Sequence, residues 1–279
     1  MLFAPGSRPD LVAKMPRSAP DLAVIDLEDG VIEAARATAR TALPGLVAAL
    51  AGDVGAVGVR VSAHVGPAGA LDLAAAAVPG LSTLVVPKAE SPAALAGFAD
   101  RLDAHGVPDS CGVVVGIESA RGVAAVFDLL ACSDRIVGAY FGAEDFVSSM
   151  GGRRTKHGAE VAHARARVVL AARVQGCFAL DQALPDFRDE HAFRADAEAG
   201  RDLGYDGKLC IHPAQVTIAN HTFTPSPLEV ERARSIVHEF DAAVAHGDAT
   251  PVIDGTLVDE AVVRRLRAVA SQIAPDVAR

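Results

Sequence analysis

The chain has no tryptophan, two tyrosines, and aromatic residues at only 4% of its 279 positions. Its 51% hydrophobic content therefore comes mainly from alanine, valine and leucine. That composition suits strands buried on both faces and small residues where helices pack against them. Cysteine is scarce as well: Cys111, Cys132, Cys177 and Cys210 are far apart and form no CxxC. Zinc-ligand spacing is absent, and a disulfide framework does not suit a chain of this size. Three of the four lie in or beside apolar runs, which predicts inert buried thiols. No stretch reaches the ~18 uninterrupted apolar residues of a membrane span, and the N-terminus shows no signal-like hydrophobic core. A cytoplasmic protein with no membrane partner is expected. Positive charge is in deficit, with a net charge of −9. This argues against a general nucleic-acid surface, and a polyanionic ligand would need a local basic patch.

What is present is a rhythm. Short apolar runs recur at Leu2–Ala4, Leu22–Asp26, Ala56–Val61, Leu81–Pro87, Gly112–Ile117, Arg135–Gly142, Gly176–Leu180 and Lys208–Ile211, each followed by room for a helix. Strand–helix alternation implies a parallel sheet, and eight units is the number that closes a (β/α)8 TIM barrel. An open doubly wound sheet is the competing architecture, weakened by the lack of a Gly-rich phosphate loop after the first strand.

The expected division is a barrel over 1–222 and a C-terminal helical extension over 223–279, packing on its own barrel or on a neighbouring subunit. Ser226-Pro227-Leu228-Glu229 reads as a capped helix start. Val230, Ala233, Val237, Phe240 and Val244 follow at helical spacing, and Gly247 stops the helix. Val161, Ala164, Val168 and Ala171 form a similar stripe. A last helix is expected from near Asp259, with Val262, Leu266, Val269 and Ile273 on one face.

Two apolar runs end in acid: Val113 to Glu118, and Ile136 to Asp145. Adjacent parallel strands lie ~5 Å apart, so Glu118 and Asp145 are placed to share one hard cation at Mg–O distances of ~2.1 Å. Barrel enzymes gather their chemistry at the C-terminal strand ends. Those ends here carry Asp26, Glu28, Asp29, Arg60, Lys88, Glu118, Glu144, Asp145, Asp181 and His212. So many like charges facing one mouth favour a bound cation, with Arg60 and Lys88 offsetting the rest.

Each residue also has an ordinary reading. Asp26, Glu28 and Asp29 serve equally as turn and cap residues. Glu118 and Asp145 could cap the helices that follow, and Arg60 could belong to a structural ion pair. His212, beside Pro213, suits a structural helix start, while His157 and His163 suit a solvated helical segment. Asp259 alone reads as an N-cap. The loop Pro5 to Asp10, with Arg8 and then Lys14 and Arg17, is basic enough to hold phosphates or simply to be surface.

Four segments resemble one family throughout: Leu2 to Pro9 (LFAPGSRP), Ile25 to Val31 (IDLEDGV), Phe141 to Phe146 (FGAEDF) and Gly207 to Gln215 (GKLCIHPAQ). It is the family of the citrate lyase β-subunit, malyl-CoA lyase and citramalyl-CoA lyase. The likeness is nearest to its stand-alone citrate lyase β-subunit-like members and runs from the first strand to the C-terminal helix.

The resemblance implies a (β/α)8 barrel, Mg²⁺ (with Mn²⁺ as the alternative) and a CoA thioester substrate, often in a homotrimer or a hexamer of trimers. By motif position, Glu118 and Asp145 match metal ligands, and Arg60 matches the arginine that contacts the keto-acid and thioester oxygens. Arg8 matches a position near the CoA nucleotide. Asp259 matches a catalytic aspartate supplied to a neighbouring subunit. The amides around Gly142, Ala143 and Glu144 would hold the keto-acid carboxylate if a helix starts there.

Two departures stand out. Ala261 replaces a proline common two residues after the aspartate, and Ile32 to Arg36 lacks a frequent lysine. The implied activity is Mg²⁺-dependent, reversible cleavage of a 3-hydroxyacyl-CoA of malyl-, citramalyl- or citryl-CoA type to an acyl-CoA and a 2-oxo acid. The alternatives are an acyl-CoA binding or regulatory protein with little turnover, a Mg²⁺ aldolase acting on free keto acids, and a malate synthase-like or thioesterase activity.

Overall fold

The computed structural model describes residues 1–271 and divides the chain into two compact units, Met1–Phe223 and Thr224–Arg279. The first unit holds eight strands: β1 (Leu2–Pro5), β2 (Leu22–Asp26), β3 (Ala56–Arg60), β4 (Thr83–Val86), β5 (Gly112–Ile117), β6 (Ile136–Phe141), β7 (Phe178–Asp181) and β8 (Gly207–Lys208). Each pairs in parallel with the next, in sequence order. The last returns to the first. Leu2 bridges Cys210 in parallel, Phe3 N donates to Cys210 O at 3.1 Å, and Cys210 N donates to Met1 O at 2.8 Å. Closure excludes the open sheet and leaves the (β/α)8 barrel.

The apolar run Lys208–Ile211 yields a strand shorter than expected. Ile211 N donates to the side chain of Gln215 at 2.8 Å instead of to a neighbouring strand, and the helix Pro213–Phe223 follows at once.

Successive strand side chains point to opposite faces, and that alternation builds the site. Val24, Val85, Val114, Tyr140, Leu180 and Leu209 pack together in the lumen. Ala23, Ile25, Val113, Val115 and Ala139 pack outward with the helices. Two residues on from Val24 comes Asp26, four on from Val114 comes Glu118, and two on from Tyr140 comes Gly142. The lumen-facing parity therefore delivers Asp26, Glu118 and Gly142 to the mouth.

β6 keeps this parity only because of a bulge. Its pairing with β5 steps from Val113↔Ile136 to Val114↔Gly138, skipping Val137. One extra residue re-aims the rest of a strand, and here it turns Tyr140 inward and leaves Val137 exposed.

The helical layer follows its sequence signals. Val161, Ala164, Val168 and Ala171 are all buried on the helix Ala159–Gln175. In the second unit, Ser226 and Glu229 form a reciprocal capping box on the helix Pro227–Ala245. Val230, Ala233 and Phe240 are buried there, whereas Val244, near the end of the stripe, is exposed. A short hairpin, Val252–Ile253 with Thr256–Leu257, precedes the helix Glu260–Ala270. That helix is anchored by Val263, which packs with Phe240, Ile253 and Val258. The expected face Val262, Leu266 and Val269 is only half-buried, because the anchor falls one position along; Ile273 lies outside the described residues. All four cysteines are free, and burial pushes each thiol up, Cys111 to about 11. Among the described residues no helix is long and apolar enough to cross a membrane.

Candidate active site

A cavity of about 460 Å³ opens at the C-terminal ends of the strands. Its wall includes Asp26, Asp29, Arg60, Glu118, Tyr140 and the segment Gly142 to Asp145, with Phe3, Leu209 and Ile211 as apolar lining. Of the residues singled out in the sequence, Asp26, Asp29, Arg60, Glu118, Gly142, Ala143, Glu144 and Asp145 thus share one cavity.

Glu118 follows the last residue of β5 and is buried. It neither caps a helix nor faces solvent; Ser119 caps the helix Ala120–Ala131 instead. One carboxylate oxygen, Oε1, accepts from the Tyr140 hydroxyl and from the backbone N–H of Lys88 at 3.1 Å. Burial pushes the Glu118 carboxyl up to about 7; the Tyr140 hydrogen bond opposes that rise, and the charge of Glu28 adds to it. Two glycines make the room. A Cβ on Gly142 would sit 2.5 Å from Glu118 Cγ, and one on Gly116 would strike Glu118 Oε1 and the Tyr140 ring.

Asp145 occupies the first turn of the helix Ala143–Ser149, whose N-cap is Gly142. It is half-exposed, and its carboxylate lies 3.7 Å from Lys88 Nζ. The Gly142 amide, expected to face the substrate, is instead taken by Ile117 O at 3.0 Å in the β5–β6 ladder. The first N–H groups of a helix have no partner within it, so those of Ala143 and Glu144 are the donors at the cavity wall. The Glu144 side chain itself turns away to Arg154 Nε at 2.9 Å.

Arg60 ends β3 and makes the ion pair that its spacing allowed. Nε and Nη2 donate to the two oxygens of Asp26 at 2.6 and 2.7 Å, and Nη1 lies 2.9 Å from Glu28 Oε2. The guanidinium stacks over the Phe3 ring at 4.9 Å. A guanidinium carries five N–H donors, so Arg60 is pinned with donors to spare while still lining the cavity.

Asp26 is both turn residue and ion-pair partner, since its carboxylate also accepts from Glu28 N at 2.9 Å and Gly30 N at 2.8 Å. Glu28 is buried, with its carboxyl pushed up chiefly by that burial. Its Oε2 lies within ion-pair distance of Arg60 but has no hydrogen bond. Lys88 Nζ reaches Glu28 at 2.8 Å and Asp29 at 3.0 Å. Burial alone would lower the Lys88 ammonium, but the bonds to Glu28 and Asp29 outweigh it and hold the group above its ordinary value.

Several other candidates of the first unit do not line the cavity. Asp181 is fully buried and bound to Arg165 and Lys208. His212 accepts at Nδ1 from Ala214 N and stacks on Phe187 at 4.6 Å, a structural helix start. His157 and His163 are exposed. Arg8 turns to Asp10, with both bonds at 2.8 Å, and stands on the surface. Its neighbours Gly6, Ser7 and Pro9 line a second cavity of about 380 Å³ with Ala34, Ala35 and Thr38. Asp259, in the second unit, is the N-cap of the helix Glu260–Ala270, accepting from Val262 N at 2.9 Å.

Tyr140 is the residue that sequence reasoning passed over. Its only signal was strand parity counted from Gly142, and the bulge at Val137 hides that count.

Among the described residues no group of three or more His, Cys, Asp or Glu is arranged to hold a metal. A pair of carboxylates suffices for Mg²⁺, which keeps several waters and completes its shell with substrate oxygens. The donor set is hard oxygen, glycines at 116 and 142 leave space for Glu118, and a lysine ammonium already sits as a positive charge beside Asp145. The residues fit the ion.

A closed parallel barrel with two carboxylates, an anchored arginine and helix-start amides around one mouth defines a barrel enzyme built for metal-assisted chemistry on an anionic substrate. The sequence profile of the family described as HpcH/HpaI aldolase/citrate lyase matches residues 1–213, and the chain belongs to that family. It is 43% identical over 277 residues to a citrate lyase subunit beta-like protein of Deinococcus radiodurans, covering 97% of this chain and 95% of that one. It is 35% identical over 297 residues to the L-malyl-CoA/beta-methylmalyl-CoA lyase of Cereibacter sphaeroides, covering 97% and 93%. Among solved structures it resembles the protein CitE from Mycobacterium tuberculosis in complex with magnesium, acetoacetate and coenzyme A. The TM-score is 0.80, the identity 29%, and 97% of each chain is covered.

Proposed function

We propose that this protein is a Mg²⁺-dependent carbon–carbon lyase that reversibly cleaves a 3-hydroxyacyl-CoA of malyl-, citramalyl- or citryl-CoA type to an acyl-CoA and a 2-oxo acid. The observation that carries the reading is the convergence of Glu118, Asp145, Arg60 and the Gly142–Glu144 turn on one cavity. Glu118 and Asp145 would hold Mg²⁺; Mn²⁺ suits the same oxygen donors. When bound, the ion supplies a Lewis acid for the oxygen that becomes the keto group.

The protein's own groups do the rest. The amides of Ala143 and Glu144 orient the carboxylate of the 2-oxo acid portion. As the hydroxyl proton passes to Asp259 of a neighbouring subunit and the C–C bond breaks, the bonding electrons move to the thioester as an enolate. Arg60, held rigid by Asp26 and Glu28, donates to that enolate oxygen without having to reorganise. Asp259 of a neighbouring subunit protonates the enolate carbon, and in condensation removes that proton.

This role for Asp259 requires an oligomer, a homotrimer or a hexamer of trimers. The CoA nucleotide would bind near Arg8, whose neighbours Gly6, Ser7 and Pro9 line the second cavity. Four free thiols and a CoA substrate are consistent with a reducing cytoplasm.

The test is formation of acetyl-CoA or propionyl-CoA from malyl-, citramalyl-, methylmalyl- and citryl-CoA, with and without Mg²⁺. Metal-dependent cleavage of one thioester is expected and names the keto acid. CoA-thioester binding with no turnover of any of them would make the chain a binding protein and overturn the lyase.

A further inference from the structure

Lys88 has no part in that reaction, yet it touches both carboxylates assigned to the metal. It follows β4, where Val85 faces the lumen and Val86 the helical layer. Regular strand continuation would send Lys88 outward to the helices. Its φ of 51° breaks the alternation. A left-handed backbone is unfavourable for a residue with a Cβ, and such strain persists where surrounding contacts impose it. The turn achieves two things. The Lys88 amide donates to Glu118 Oε1 at 3.1 Å, and the ammonium reaches Glu28 at 2.8 Å, Asp29 at 3.0 Å and Asp145 at 3.7 Å. The contact with Asp145 is the longest of the three, so it is the one given up at least cost.

Resting on the metal-site reading above, we propose that Lys88 is an internal counter-ion that holds Asp145 in the metal-free protein and yields it to the divalent cation. The ammonium then stays on Glu28 and Asp29. Mg²⁺ affinity is thereby set by competition: the lysine keeps the ligand pair oriented and its charge offset, and it weakens metal binding. Lys88 is a positioning residue, not a catalytic one.

Calorimetric titration of Mg²⁺ into the 279-residue chain, without substrate, tests this. Lys88→Met keeps a side chain of similar length and removes the charge. It should bind Mg²⁺ about tenfold more tightly than the natural protein, the order expected for removing a unit charge close to a divalent cation in a half-exposed site. Lys88→Arg should restore the natural affinity. Raising ionic strength should narrow the gap between Lys88→Met and the natural protein. Lys88→Gly, which relaxes the left-handed backbone as well, should bind more tightly too and guards against a misfolded methionine variant. Equal or weaker Mg²⁺ binding by both uncharged variants, with the natural protein still binding, overturns the counter-ion and leaves the metal site standing. If the natural protein binds no Mg²⁺, the metal-site reading fails and the counter-ion with it.

Discussion

Two clusters of charge sit in the same barrel and are built to opposite rules. Around Lys208, the carboxylates of Asp181 and Asp196 meet the cations of Arg165 and Lys208, two against two, with Gln182 bonded into the set. Lys208 is fully buried and lies over the Phe193 ring at 5.4 Å. At the mouth, among the described residues of the first unit, Asp26, Glu28, Asp29, Glu118 and Asp145 gather around two cations, Arg60 and Lys88. One cluster is neutral and closed, and the other carries surplus negative charge around a cavity. A buried charge is tolerated when paired and hydrogen-bonded. The raised pKa of buried Glu118 lightens the surplus, and the negative charge that remains suits the proposed cation.

The comparison breaks most sharply at the two proposed ligands. Glu118→Gln and Asp145→Asn should each lower Mg²⁺-dependent kcat/KM by about 10³-fold, about 4 kcal/mol of transition-state stabilisation. Neither should destabilise the metal-free fold by more than about 1 kcal/mol, since each removes charge from an anionic surplus. Metal titration with steady-state kinetics, beside denaturant melts, reads both quantities. The balanced cluster should behave in reverse. Arg165→Met strips the bidentate partner from a fully buried carboxylate and should cost about 3 kcal/mol of stability. The urea midpoint should fall while Mg²⁺ affinity of the remaining folded protein is unchanged. Loss of metal binding at intact stability would erase the distinction between the clusters.

Much of this was legible in the residues and some was not, for physical reasons. All eight strands announce themselves because strands buried on both faces are apolar throughout, and Ser226 to Glu229 announces a helix start through its cap chemistry. Glu118 and Asp145 could be found because acid at the end of an apolar run is conspicuous. The balanced cluster was invisible: Arg165 lies on a helix and Asp181 on a strand, and nothing local pairs them. Asp181 consequently looked like one more acid at the mouth. Arg60 was legible as a residue, but its anchoring by Asp26 and Glu28 depends on register between β2 and β3. Lys88 was visible as a charge at a strand tip, yet its left-handed turn has no glycine to mark it.

A middle-sized effect tests how tightly the mouth is fitted. Gly142→Ala places a Cβ 2.5 Å from Glu118 Cγ. Glu118 is packed against Tyr140 and Lys88 and has nowhere easy to retreat, so the cost should be about 2 kcal/mol of stability together with weaker Mg²⁺ binding. Gly45, where a Cβ meets nothing within 4 Å, is the control position. An alanine at 142 no worse than one at 45 would show that Glu118 is loosely held.

The smallest change is the most specific to the mouth. In the metal-free protein burial holds the Glu118 carboxyl at about 7, so its ionised fraction falls as pH drops through that value. A metal ligand must be deprotonated, so Mg²⁺ affinity should be full above that pH and decline below it. The Tyr140 hydroxyl donates to Glu118 Oε1 and favours the ionised form. Tyr140→Phe removes the donor and keeps the ring, so the midpoint should move up by about one pH unit, the size of one hydrogen bond to a charged group. Carboxyl ¹³C NMR of labelled glutamate follows this directly, and added Mg²⁺ should hold the group ionised to lower pH. A midpoint that moves down in Tyr140→Phe would mean that the phenol opposes the carboxylate, and the buried acid at the mouth would then owe its ionisation to Lys88 and Arg60 alone.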